Sequence, residues 1–231
     1  MSAFNCSKLK KNGKMPVTVA SLIPDMKKFE KLHNDYKRHD FIPEFRFDLS
    51  DMDGNGMEKY LKLVERNNIM GIFTFRSSDS AEAEDAYMPS VFHGNLIFDI
   101  EIESYRNFRN DIQKDRLILS SHFRNSAVTM RRFSEILSME CGAIKIATFS
   151  DTIESIHLMN NMYLAKDQRP LSFVPMGPDR EARLISGLSV SDFIYTAYEE
   201  PLAQGQINYT DIEKIFSKLI CNDHHRFYQR L

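Results

Sequence analysis

Pro43-Glu44-Phe45-Arg46-Phe47-Asp48-Leu49 alternates charged and apolar side chains. In an extended strand successive side chains leave opposite faces, so Glu44, Arg46 and Asp48 share one face and Phe45, Phe47 and Leu49 the other. The split recurs elsewhere. Thr74 and Arg76 stand opposite Phe73 and Phe75, Asp99 and Glu101 opposite Phe98 and Ile100, and Lys145 opposite Ile144 and Ile146. Apolar faces of this kind meet helices. Four strands then aim charge at one interior, where ionised groups are too costly to desolvate unless they pair with each other or bind a polar ligand.

Outward from this stretch, β-branched and aromatic runs recur at 17–22, 41–47, 69–75, 96–102, 116–121, 143–147, 171–175 and 193–198. Segments with helical spacing lie between most of them, such as Asp25 to Arg38, Glu58 to Asn67, Thr129 to Met139 and Ile153 to Leu164; 177–190 is the least regular. Eight strand-then-helix units predict an α/β fold, a single (β/α)8 TIM barrel, with a doubly wound open sheet as the structural rival. The 231 residues, 42% hydrophobic and 27% charged, suffice for one catalytic domain over 1–231. Within it, 1–15 reads as a lead-in and 222–231 as a tail.

Thirty basic against 32 acidic side chains leave no field to gather nucleic acid or a membrane surface, so a small-molecule partner is expected. No run approaches a membrane span, and no apolar segment follows Lys8, Lys10 and Lys11. Cys6, Cys141 and Cys221 are too few and too scattered for a disulfide framework or a zinc knuckle, which fits a cytoplasmic location. His224 and His225 read as tail residues rather than metal ligands, and Asp51-Met52-Asp53-Gly54-Asn55-Gly56 as a turn into a helix rather than a calcium loop. No metal and no cofactor are called for.

Lys145 is the most informative residue. An amine flanked by Ala143, Ile144, Ile146 and Ala147 is poorly solvated, and a nearby Arg46 or Arg76 would further disfavour charging it, so a neutral nucleophile is expected there. Such an amine attacks a ketone. The iminium then acidifies the adjacent carbon, a base removes its proton, and a β-hydroxyl departs. His122, one strand earlier, is the available base, with Asp99 or Glu101 placed to fix its tautomer. His122 and Arg76 both fall at the C-terminal ends of their strands, the face on which barrel enzymes build active sites.

Together these segments resemble type I 3-dehydroquinate dehydratase, the Schiff-base dehydratase of the shikimate pathway to chorismate and the aromatic amino acids. The likeness runs through VTVASLIP at 17–24, EFRFD at 44–48, IFTFRS at 72–77, FDIEIE at 98–103, LILSSH at 117–122, IKIAT at 144–148, FVPMG at 173–177 and QGQI at 204–207. The resemblance implies a cytoplasmic, homodimeric hydro-lyase acting on 3-dehydroquinate, with Lys145 forming the imine and His122 serving as general base and then acid. Substrate contacts would fall on Ser21, Glu44, Arg46, Arg76, Arg183 and Gln206, with Arg183 and Gln206 holding the ring carboxylate and Met176 and Tyr195 as pocket walls. The chain departs from the family pattern at 78–82, which replaces a Glu-Gly-Gly stretch, at Phe123, and at Leu202, where a hydroxyl residue is usual. A Schiff-base aldolase on the same barrel and a non-catalytic ligand-binding barrel are the alternatives.

Overall fold

The computed structural model describes residues 4–11, 15–77, 79–108, 111–123, 126–177 and 180–227, without the side chains of 80, 106, 107, 126, 127 and 219–227. Ser78 and the side chains of Cys221, His224 and His225 therefore lie outside the described residues. Eight strands are present: β1 (Val17–Leu22), β2 (Ile42–Arg46), β3 (Gly71–Thr74), β4 (Leu96–Glu101), β5 (Leu117–Phe123), β6 (Ala143–Phe149), β7 (Leu171–Met176) and β8 (Phe193–Ala197). Each lies within two residues of its expected bounds. The helices are α1 (Phe29–Arg38), α2 (Gly54–Arg66), α3 (Ser80–Ser90), α4 (Tyr105–Phe108), α5 (Ser126–Leu137), α6 (Thr152–Ala165), α7 (Arg180–Leu188) and α8 (Tyr209–Phe227). The strands pair in parallel in the order β7-β6-β5-β4-β3-β2-β1-β8, the consecutive pairing of a (β/α)8 barrel and not of an open doubly wound sheet.

The β7–β8 seam is closed by side chains. Leu171 N–H donates to Asp192 Oδ2 at 3.1 Å and Phe173 N–H to Ser191 Oγ at 2.9 Å, while Asp192 N–H donates to Leu171 O. These bonds satisfy backbone groups that would otherwise be buried without partners. The helices start where the sequence supplies caps: Asp53 accepts from Gly56 N–H at the head of α2, so DMDGNG is the expected turn into a helix, and Asp151 accepts from Glu154 N–H at the head of α6.

Strand alternation separates two apolar regions. Outward residues such as Phe45, Phe73, Phe98, Ile100, Ile144 and Ile146 form the layer between sheet and helices. Inward residues Val19, Ile72, Ile97, Ile118, Ala143 and Phe193 fill the lower barrel, which Phe4, Cys6 and Leu9 of the N-terminal segment close from beneath. Part of the expected lead-in is therefore core. At the other end α8 continues to Phe227, through the start of the expected tail.

Above this plug every strand turns one buried polar side chain inward: Ser21, Glu44, Thr74, Asp99, Ser120, Lys145, Ser172 and Tyr195. Strand 2 ends sooner than expected. Phe47–Leu49 is a 3-10 turn, so Asp48 is not an inward strand residue but folds back to take Arg46 in a two-point ion pair, Nε to Oδ1 at 2.9 Å and the second nitrogen to Oδ2 at 2.6 Å.

Candidate active site

Lys145 sits midway along β6 beside Ser120 of β5 and Ser172 of β7. Its Nζ donates to Asp99 Oδ2 at 2.7 Å and lies 3.5 Å from Glu44 Oε1. The expectation of an unpaired amine among isoleucines is therefore corrected. Strand parity sends those isoleucines outward, and what the nitrogen meets inside the barrel is two buried carboxylates. Burial raises the carboxyl of Asp99, but Arg76 and Lys145 outweigh it and hold the group far below the usual range. Glu44 is also held down, burial being opposed by Lys145 and Arg46 and by the hydroxyl of Ser21, which donates to it at 2.5 Å.

Arg46 and Arg76 are not the bare cations the sequence suggested. Arg46 is matched by Asp48. Arg76, two residues beyond β3, donates to Asp99 Oδ1 at 3.0 Å and to Glu101 Oε1, and also reaches Ser120 Oγ. Burial works against its charge, but the two carboxylates prevail and raise its pKa.

Of the two carboxylates left open for His122, Glu101 is the one that reaches it. His122 Nδ1 lies 2.9 Å from Glu101 Oε1. The contact is outside hydrogen-bond alignment, so the two groups are close neighbours without a linear bond. Burial and the cations of Arg76 and Lys145 lower the imidazole pKa from its ordinary value, with Glu101 opposing. A half-buried neutral imidazole results, one strand over from Lys145 and nearer the barrel mouth.

Arg183 is different. It is 3% exposed on α7 and, among the described residues, has no carboxylate partner. One terminal nitrogen donates to Gln204 O at 2.8 Å and the other lies 3.5 Å from Tyr195 O, while Nε has no partner. Burial alone lowers its pKa to about 10. A buried guanidinium with an open N–H has the donor geometry to take an anion such as a carboxylate in its fork.

The loop after β8 is shaped around this arginine. Gly205 has φ 76°, and a Cβ there would come within 2.5 Å of Gly177 O and 3.4 Å of Arg183 Nε. Gln206 holds the loop: its Oε1 accepts from Leu202 N–H at 2.7 Å and Ala203 N–H at 3.1 Å, and its Nε2 donates to Ser21 Oγ at 3.2 Å. Met176 ends β7 at the edge of the inner apolar cluster. Tyr195 is less a wall than a floor, 4% exposed, its ring centroid 3.6 Å from Lys145 Nζ.

Sequence reading thus named the residues that converge but not how they pair. It gave no role to Thr74, which it placed on the inward face and which donates to Glu44 at 3.0 Å, or to Ser120. Both were accessible from parity, being two residues before Arg76 and His122.

The family profile of type I 3-dehydroquinase matches residues 16–222. The chain belongs to that family. Among similar proteins, the 3-dehydroquinate dehydratase of Saccharolobus solfataricus is 26% identical over 216 residues, covering 87% of this chain and 94% of that one. The 3-dehydroquinate dehydratase of Thermoplasma volcanium is 24% identical over 222 residues, covering 94% and 95%. Among solved structures, the type I 3-dehydroquinate dehydratase of Clostridium difficile superposes with a TM-score of 0.76 at 16% identity, over 94% of this chain and 97% of that one. The 3-dehydroquinate dehydratase of Geobacillus kaustophilus gives 0.77 at 18%, over 95% and 96%. These two establish the shared barrel fold. Placed in the type I 3-dehydroquinase family, the interior of this barrel is read as a dehydratase site.

Proposed function

We propose that this type I 3-dehydroquinase dehydrates 3-dehydroquinate to 3-dehydroshikimate, a step of the shikimate pathway, through a Schiff base on Lys145. The observation that carries the reading is Lys145 and His122 on adjacent strands, facing one interior, with a half-buried imidazole tuned toward its neutral form. As the nitrogen adds to the ketone carbon, the two protons it gives up are relayed past Asp99 and Glu44 to the carbonyl oxygen, which leaves as water with both carboxylates still ionised. The resulting iminium withdraws electrons from the neighbouring carbon. His122 takes a proton from that carbon and returns it to the departing hydroxyl, forming the ring double bond, and water then hydrolyses the imine to free the product.

Arg183 supports a carboxylate-bearing substrate in particular. In this reading Ser21, Glu44, Arg46 and Arg76 contact ring hydroxyls, Met176 and Tyr195 border the ring, and Gln206 serves the carboxylate site by holding the loop that covers Arg183. An aldolase is not favoured, because barrel aldolases need a phosphate cradle of glycine-rich backbone and this chain supplies an arginine. The direct test is to add 3-dehydroquinate to the purified protein and follow the conjugated enone of the product. A rise in absorbance without added metal is expected; a flat trace would remove the proposed activity.

Arg183→Gln is expected to lower kcat/KM about 100-fold, mainly through KM, because one charged fork to the carboxylate is lost. Thermal stability should not fall, since a buried unmatched cation is removed. An arginine with a purely structural role would give the reverse, a lower Tm with KM unchanged.

We further infer a cytoplasmic homodimer. No helix among the described residues is long and apolar enough to cross a membrane. On α6, Ile153, Tyr163 and Leu164 are 70%, 61% and 75% exposed, apolar surface of the kind that a second copy covers. Light scattering is expected to give twice the chain mass for the native protein and one chain mass for an Ile153→Lys, Leu164→Glu variant that keeps its activity. A monomeric native protein would contradict the inference.

A further inference from the structure

Tyr195 contacts both members of the Lys145–Asp99 pair. Lys145 Nζ stands 3.6 Å from its ring centroid, and its hydroxyl lies 3.4 Å from the same Asp99 oxygen that accepts from Lys145. Burial and the nearby carboxylates Asp99 and Glu44 raise the phenol pKa well above its ordinary value, so the hydroxyl stays protonated and donates. The ring face thus meets the nitrogen, and the hydroxyl meets the carboxylate that accepts from it.

The charge at this nitrogen is conserved through the covalent step. An ammonium and a ketone give an iminium and one water: a carbon–nitrogen bond forms, the carbon–oxygen bond breaks, and two protons leave with the oxygen. Nitrogen keeps one proton and the positive charge. Its three N–H donors become one, so a contact that needs a particular N–H direction can be lost on the way. Attraction to an aromatic face has no such requirement, because the ring quadrupole meets the charge itself. The remaining N–H can keep Asp99, the nearer of the two carboxylates.

We propose that Tyr195 is a positioning residue for the Schiff-base nitrogen, whose ring face holds a cation at Lys145 Nζ before and after the imine forms. The proposal rests on the Schiff-base reading. Its consequence is that the imine stays protonated, and therefore electrophilic, to higher pH than a ring-free site would allow. The titratable groups that interact with this nitrogen are Asp99 from β4, Glu44 from β2 and His122 from β5, with Arg76 and Glu101 behind them as partners of Asp99 and His122. None of them is altered by changes to the ring alone.

The test uses the full chain with Tyr195→Phe and then phenylalanines bearing one, two and three ring fluorines at position 195, a series that drains the π face while keeping its shape. The readout is the alkaline limb of the kcat–pH profile with 3-dehydroquinate, which reports loss of the imine proton in the bound complex. Tyr195→Phe should retain the limb, and successive fluorines should move it to lower pH, by about one unit at the third. A packing role would lower kcat without moving the limb, so a limb fixed across the series overturns the proposal. Borohydride trapping of each variant keeps the two readings apart. An adduct on Lys145 with an unmoved limb removes only the role of Tyr195, whereas no adduct in the native protein removes the Schiff base and this inference with it.

Discussion

Lys145→Arg is expected to lose kcat by about 10⁴-fold or more while the protein stays folded, because a guanidinium keeps the positive charge among Asp99 and Glu44 but cannot form an imine. The comparison with Lys145→Ala separates two jobs of one residue. Alanine also abolishes turnover, but it leaves two buried carboxylates facing each other with one fewer counterion. Removing one partner of a buried pair costs on the order of 3–5 kcal/mol. A clear drop in Tm is therefore expected for Lys145→Ala and a much smaller one for Lys145→Arg. Kinetics and melting curves of the two variants check this; residual turnover in Lys145→Arg near the native rate would mean that the amine is no nucleophile.

His122→Ala should lower kcat by about 10²–10⁴-fold, the range for loss of a positioned acid–base group. Imine formation requires only Lys145 and its carboxylates, so the covalent intermediate should accumulate in this variant instead of disappearing. In the proposed mechanism the base form of His122 is the active one. Burial, Arg76 and Lys145 lower its pKa, so the acid limb of kcat/KM should lie below pH 6.5, the usual histidine value. Activity is then present above that limb and lost as the pH falls through it. In Glu101→Gln the one opposing carboxylate is gone, and the limb should move further down. A limb above 6.5 in the native protein would contradict the assignment of His122 as base.

The barrel was legible because its strands carry a strong signal. Alternation in PEFRFDL, FTFR, FDIEI and AIKIA names both faces of four strands, and β-branched and aromatic runs mark the other four. Interior pairing was not legible to the same degree. Which carboxylate meets Lys145 depends on shear between strands: Thr74 pairs in register with Asp99, whereas Asp99 pairs with Ile118, one alternation below Ser120. No local pattern encodes that offset. Asp48 was misplaced for a related reason, since alternation continues through Phe47–Leu49 although the backbone has already turned. The plug of Phe4, Cys6 and Leu9 was missed because its burial comes entirely from tertiary contacts beneath the barrel.

Arg183 shows the opposite case. Its side chain reads as one arginine in the least regular segment of the chain, and only the resemblance gave it a role. In the structure it is set apart by a buried Nε without a partner, alongside the lack of a counterion among the described residues, and by the Gly205 turn that lets a loop close over it. Charge balance at the upper barrel supports the proposed role: Lys145, Arg76 and Arg46 are each matched to carboxylates and Arg183 is not, which is where the proposed function places the substrate's carboxylate.

Everything in the mechanism turns on a covalent bond between substrate and one lysine. Mixing the protein with 3-dehydroquinate, adding borohydride and mapping the digest by mass spectrometry tests it most directly. The account predicts irreversible inactivation with a single adduct on the peptide containing Lys145, absent when substrate is omitted. Full activity after borohydride treatment, or an adduct confined to surface lysines, would contradict it.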